Sequence, residues 1–406
     1  MGGTLPVTGM AGSAGERSGV RRLTMALCFL AAAIEGFDLQ SAGVAAPHLG
    51  PAFGLSPSRM GWVFSAAIAG LIVGALVGGR VSDLRGRKVA LMLSLGVFGV
   101  FSCLTALAWD FPSLLAARFL TGLGLGGAFP NLIAIAAECA PKAKAAAVSI
   151  IYAGMPLGGA TAAFLSLRGG HGDWQGVFWA GGIAPLLLLP FLAWALPAFR
   201  VPPAPAEARI VIRQALFAPG RRVDTGALWL GSFLALLVLY LLLNWLPILL
   251  LSRDLPRTLV LGVQLVFNLG GACGSGIAGQ LMERIDRRVA VVGIFLTLAL
   301  ALAGLAGAGA NFLMTIAAVA GAAVLAAQAL IYSLAPGYYP PQVRGLGVGA
   351  VVAAGRLGSV AGPLLAGQLI AAGRSSADVL TGIIPIALLS GIATFVLVAR
   401  RSPEGE

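Results

Sequence analysis

The chain has 406 residues, of which 58% are hydrophobic and only 10% charged, against roughly 25% charged in an average soluble domain. Too few polar side chains are present to cover a water-facing surface, which excludes a soluble globular protein. The formal net charge of +12 would suit nucleic acid, but the basic residues sit in short loops between long apolar runs, and that placement excludes it.

The runs are about 20 residues or longer, enough to cross a ~30 Å hydrocarbon core at 1.5 Å per residue. In chain order the first group falls at about 23–46, 60–79, 89–108, 113–139, 145–167 and 175–196. Residues 197–226 then carry clustered prolines and five arginines, too polar and too broken to span a bilayer. The second group falls at about 227–250, 258–281, 289–308, 312–335, 343–371 and 377–399. Six spans on each side of a linker predict an all-α membrane protein of twelve transmembrane helices in two pseudo-symmetric six-helix bundles. The predicted parts are a tail at 1–22, a bundle at 23–196, a linker at 197–226, a second bundle at 227–399 and a tail at 400–406.

Of the 27 lysines and arginines, twenty lie on the side of the termini and linker, five on the other side, and Arg118 and Arg356 lie inside spans. Basic residues accumulate in cytoplasmic loops, so both termini are expected in the cytoplasm of a multi-pass protein of a bacterial inner membrane. Arg21 and Arg22 before an apolar run imitate a secretory leader, but Glu35 and Asp38 interrupt the run and no convincing cleavage site follows, so a retained first span is expected. His48 and His171 are expected in outer loops. Cys28, Cys103, Cys139 and Cys273 are far apart, with no ligand spacing, and no metal site or cofactor is expected.

The loop between spans two and three reads Gly79-Arg-Val-Ser-Asp83-Leu-Arg-Gly86-Arg87-Lys88, and the loop between spans eight and nine reads Gly279-Gln-Leu-Met-Glu283-Arg284-Ile-Asp286-Arg287-Arg288. A small residue, an acid four positions on and a basic pair recur in equivalent places, as a duplicated unit requires. An acid near a helix end can pair with a neighbouring helix terminus or arginine. These residues, with Glu138 near the end of span four, are therefore expected to form a latch for one conformation. The 57 glycines include the run Gly122-Leu-Gly124-Leu-Gly126-Gly127, which marks close helix crossings. It imitates a dinucleotide fingerprint, but no strand precedes it and no βαβ unit surrounds it.

An ionisable group inside a membrane costs about 2.5 to 3.5 kcal/mol on insertion scales, so each one needs a reason. Glu35 and Asp38 are three residues apart and are expected to share a face of span one. Counted along the spans, Arg118 falls at the depth of Asp38 and Arg356 at that of Glu35, so four charges are expected to cluster near the midplane. Structural ion pairing is one account of them. The other is function: Arg356 suits a carboxylate gripped by both oxygens, and two acids one turn apart in low dielectric leave one of them protonated, which suits coupling to a proton gradient through Glu35, Asp38 and Arg118. Asn244, Gln264, Asn268, Gln328 and Tyr332 are candidates to hydrogen-bond a ring hydroxyl, with Trp245 and Phe267 stacking on the ring.

These features resemble the major facilitator superfamily and, within it, the aromatic acid:proton symporter family, over nearly the whole chain. The resemblance is carried by the loop from Gly79 to Lys88, by Arg118 with Gly122, Gly124 and Gly126, and by Glu35-Gly36-Phe37-Asp38. It extends to Pro130-Asn131 with Glu138, Asn244 to Pro247, Gly355-Arg356-Leu357-Gly358, and Gly362-Pro363. Leu84 departs from the basic residue usual in the loop motif, and Glu35 from a usual Asp. The resemblance implies alternating-access import of a small aromatic carboxylate, such as a hydroxylated phenylpropionate or benzoate, together with H+, by a chain functional as a monomer.

Three other readings fit less well. The first is a drug or metabolite exporter, an antiporter of the same fold; the arginine in the membrane interior argues for an anionic substrate, whereas a cation exporter would need only acids. A non-transporting sensor is expected to carry a signalling domain, for which a linker of about thirty residues and short tails leave no room. A membrane enzyme would need a nucleophile or metal constellation, and none is legible.

Overall fold

Local chemistry sets where the helices begin and end. Ser56 accepts the backbone N–H of Arg59 and is followed by Pro57 at the first helical position, where a missing N–H costs nothing. Asp110 and Ser113 form a reciprocal capping box, as do Ser375 and Asp378, and Asp286 accepts from the N–H groups of Arg288 and Val289. Gly86 stops one helix and starts the next at φ +90°, a backbone region that side chains other than glycine's disfavour.

The computed structural model describes residues 14–140, 144–168, 174–196, 216, 221–340 and 343–400, without the side chains of 14–20, 144–146 and 278–283. The predicted linker between 197 and 220 apart from Leu216, residues 1–13 and 401–406 of the tails, His171, the surroundings of Gly279 and the side chain of Glu283 lie outside the described residues. The helices are α1 (Ala14–Ala52), α2 (Pro57–Arg85), α3 (Arg87–Ala106), α4 (Phe111–Cys139), α5 (Lys144–Arg168), α6 (Gln175–Ala195), α7 (Arg222–Leu251), α8 (Arg257–Arg284), α9 (Arg287–Gly307), α10 (Ala310–Leu334), α11 (Arg344–Ala371), α12 (Ser376–Gly382) and α13 (Ile384–Arg400). Among the described residues twelve spans are long and apolar enough to cross a membrane, and an even number returns the chain to the side on which it began.

Three elements depart from expectation. The twelfth span is broken into α12 and α13 at Ile383, because Pro385 has no N–H to offer the carbonyl four residues back and its ring crowds that carbonyl. The first helix runs past Pro47 and Pro51 to Ala52; packing of a fully buried Leu49 outweighs the lost backbone bonds, and His48 therefore lies inside α1, half-buried, instead of in a loop. A 3₁₀ turn, Ala335–Tyr338, ends α10.

Glycines bring the helices together in a repeated pattern. A Cβ at Gly70 or Gly74 of α2 would collide with the backbone of Phe119 or Leu123 in α4, and a Cβ at Gly270 or Gly274 of α8 would collide with Ala318 or Ala322 in α10. The two crossings are offset by 200 residues, like the loop motif. Likewise α5 lies on α1 through Gly36 and Gly158, and α11 on α7 through Gly358 and Gly362. Such backbone contact is how helices associate where lipid removes the hydrophobic drive between them.

The two halves touch through α2 with α11, α5 with α8, and α1 with α7, a pairing that interchanges under the repeat. The polar contacts of this seam lie toward the side opposite the termini. Ser65 donates to the carbonyl of Val360 at 2.8 Å, the Trp245 indole to that of Pro363 at 3.0 Å, and Arg257 to that of Ser166 at 3.2 Å. On the terminal side a cavity separates the halves.

Candidate functional site

The cavity encloses about 540 Å³, within the usual range for small-molecule sites. Its walls come from both halves: α1, α2, α4 and α5 on one side, α7, α8, α10 and α11 on the other. Most of the lining is aliphatic. The polar groups are few, namely Glu35, Gln40, Tyr152, Tyr240, Asn268, Ser275, Gln328, Tyr332 and Arg356.

Arg356 is partly buried on the α11 wall and donates from one guanidinium nitrogen to the Tyr240 hydroxyl at 2.8 Å. Gly355 and Gly358 flank it, and they let α11 lie directly on α7, the helix that carries Tyr240. Tyr332, Tyr152 and Glu35 also lie within electrostatic reach of the guanidinium. Glu35 is 1% exposed, and its Oε2 has no hydrogen-bond partner among the described residues. Glu35 and Arg356 thus face the same cavity without forming an ion pair. Three of the chain's five tyrosines converge here. Sequence reasoning singled out Tyr332 and missed Tyr152 and Tyr240, although a phenol is scarce in these spans and that scarcity was a usable signal.

The four membrane charges do not form one cluster. Asp38 and Arg118 make a separate ion pair at 3.1 Å, with side-chain exposures of 0% and 1%. Ser102 donates to the second Asp38 oxygen at 2.6 Å, and the Phe178 ring lies 5.4 Å from the Arg118 carbon. Three residues advance a helix by 300°, which leaves a 60° offset; instead of sharing one face, Asp38 turns into the first half while Glu35 faces the cavity.

Of the remaining candidates, Gln328 and Tyr332 line the cavity, as does Asn268. Asn244 does not, because its amide donates to the Tyr240 carbonyl of its own helix at 2.8 Å. Trp245 is 1% exposed, held by Pro363 and edge-on to Phe64 in the seam between the halves. Phe267 is buried against Gly321. Gln264 sits behind the wall, donating to Gln40 at 3.0 Å. Gln40 was not anticipated, since a lone glutamine in an apolar run has no pattern of its own.

The predicted latch is also rearranged. Arg87 pairs with Glu138 of α4, and Lys88 donates to the carbonyls of Ala193 and Leu196 at 2.6 and 2.7 Å, where the dipole at the end of α6 attracts a cation. Asp83 is exposed and Gly79 has open space around it. Ser82 and Asn131 instead tie α2 to α4 at 2.7 Å. In the second half Asp286 caps α9, and Arg287 is exposed.

Residues 28–309 and 260–406 each match the family model described as Major Facilitator Superfamily. The chain is 44% identical over 382 residues, 94% of each chain, to the 3-(3-hydroxy-phenyl)propionate transporter of Escherichia coli (strain K12). It is 33% identical over 386 residues, 86% of each chain, to the gallate transporter of Pseudomonas putida. Among solved structures it is similar in fold to a bacterial homolog of the human lysosomal transporter Spinster, with a TM-score of 0.74 at 17% identity, over 97% of this chain and 100% of the other.

Proposed function

The chain belongs to the Major Facilitator Superfamily, and we propose that it imports a hydroxylated aromatic carboxylate, of the 3-(3-hydroxyphenyl)propionate type, together with protons. The observation that carries this reading is the Arg356 guanidinium, which stands on the wall of an otherwise largely aliphatic cavity with a tyrosine hydroxyl, and no carboxylate, as its partner. A planar fork of donors suits a carboxylate, the apolar walls suit a ring, and Gln328 and Tyr332 supply polar contacts beyond it. Both transporters named above act on a benzene ring bearing hydroxyl and carboxylate groups, which supports the substrate class.

Glu35 is the group that takes the proton: it borders the same cavity, with one oxygen unpartnered. Asp38 stays paired to Arg118, so its part in coupling is to hold α1 and α4 in register. The units 23–196 and 227–399 rock about the seam, with the tails and linker in the cytoplasm of a bacterial inner membrane and one chain sufficient for transport. The cavity then faces the cytoplasm, and Asp83 and the loop around it engage when the cytoplasmic side closes.

Uptake of labelled 3-(3-hydroxyphenyl)propionate, benzoate and protocatechuate into vesicles, with and without an imposed proton gradient, tests the reading. Accumulation of the first that collapses with the gradient is the expected result. Gradient-independent uptake, or no preference for any of the three, would refute it.

A further inference from the structure

Where the cavity meets the closed seam, three carboxamides bond across the halves. Gln40 of α1 donates to the Asn268 side-chain oxygen at 2.7 Å, and Asn268 of α8 donates back to the Gln40 oxygen at 2.7 Å, closing a reciprocal amide ring. Gln264 adds a donor to the same Gln40 oxygen at 3.0 Å. The second Asn268 hydrogen goes to the Gln264 carbonyl at 2.9 Å. An asparagine amide carries two donors, so those of Asn268 are fully used. In this conformation a ring hydroxyl in the cavity cannot accept from Asn268 without breaking the ring, although Asn268 lines the wall. The Gln264 oxygen, fully buried, is left with no partner.

When the halves part on this side, the ring must break, and Gln40, Gln264 and Asn268 each lose a partner across the seam inside an apolar wall. A buried amide without a partner is destabilised, so these groups take whatever hydroxyl or water is at hand.

We propose that Gln40, Gln264 and Asn268 form a polar lock that trades partners with the substrate: parted, they bind its ring hydroxyl, and closed, they bind one another and surrender it. The proposal rests on the aromatic-acid reading above. A ligand shifts a conformational equilibrium only by binding one form better than the other. The hydroxyl therefore strengthens binding to the form open on the far side, and closing of the lock helps release the acid on the terminal side. The Gln40 amide sits against Gly159 of α5, where a Cβ would collide with it. Gly159 is outside the cavity lining, so Gly159→Ala displaces the lock without removing a polar group.

The test compares 3-(3-hydroxyphenyl)propionate with 3-phenylpropionate, presented to right-side-out and inside-out vesicles. In the wild type the hydroxyl should tighten binding about three- to tenfold from the far side and not measurably from the terminal side. Gly159→Ala should abolish that difference while 3-phenylpropionate is still carried, and Asn268→Leu should abolish it too. A second readout needs no substrate: with Ser65→Cys placing a thiol in the seam, a membrane-impermeant maleimide from the far side should react several-fold faster once Gly159→Ala is added. Equal hydroxyl preference from both sides, a preference that survives both variants, or unchanged maleimide reaction would each overturn the lock. If neither acid is carried but the maleimide rate rises, the aromatic-acid reading fails and the lock stands as a closure for another hydroxylated ligand.

Discussion

At the scale of single residues, the two membrane arginines separate into different roles because their partners differ. Arg356 has a neutral hydroxyl partner, so its charge is available to an anion. Arg356→Ala should weaken binding of the acid about ten- to hundredfold, the worth of a charge-assisted pair, with thermal unfolding in detergent unchanged. Arg356→Lys should restore little, since a point charge cannot grip both oxygens. Arg118 is already neutralised by Asp38, and removing one partner of a buried pair strands the other at about 3–5 kcal/mol. Arg118→Leu should therefore lower the unfolding temperature sharply, a loss that calorimetry or a thermal-shift assay would read directly. Glu35→Gln is expected to spare folding and abolish gradient-driven accumulation, while exchange of labelled for unlabelled substrate continues, because exchange needs no net proton release. Persistent accumulation against a gradient in that variant would assign the proton elsewhere.

At the scale of helices, the glycines divide by what a side chain would meet. A Cβ at Gly122 would strike the backbone of Ala67, and backbone cannot step aside as a side chain can. Gly122→Val should separate α2 from α4 and reduce the yield of folded protein. Gly79→Ala, by contrast, meets open space and should leave the yield of folded protein unchanged. Gly86→Ala falls between them: its backbone at φ 90°, ψ 159° lies in a region nearly reserved for glycine and costs an alanine roughly 1–3 kcal/mol, visible as a fall in unfolding temperature. The glycine motif is plain in the sequence, yet which glycines bear on a neighbour depends on which helix lies beside each one, and that is a property of the bundle.

At the scale of the whole molecule, the seam and the cavity lie on opposite sides, so in the rocking cycle proposed above opening one closes the other. Asp83 is exposed on the open side, whereas Arg87 and Lys88 are bound within their own half. Asp83→Asn should slow transport while leaving substrate affinity largely intact, because it alters the balance between conformations and touches no substrate. Equal loss of affinity and rate, measured by binding alongside uptake, would mean that the loop supports folding instead. A reporter fused after Arg400 should read cytoplasmic and one placed after Arg168 should read periplasmic; the reverse orientation would invert every assignment of direction made above.

The twelve spans, the duplication and the presence of a few costly charges in the membrane were determined by the sequence alone. They depend on local length and on a solvent that punishes every exposed polar group, and both can be read from one segment at a time. The split of four charges into a cavity pair and a buried ion pair was decided by the tertiary structure. So were the convergence of Tyr152 and Tyr240 on Arg356, the removal of Asn244 and Trp245 from the site, and the meeting of Gln40 with Asn268. Depth along a helix follows from counting residues, but azimuth and neighbour do not: a 100° step per residue carries Glu35 and Asp38 into different surroundings, and what each one meets is set by helices that lie far away in the chain.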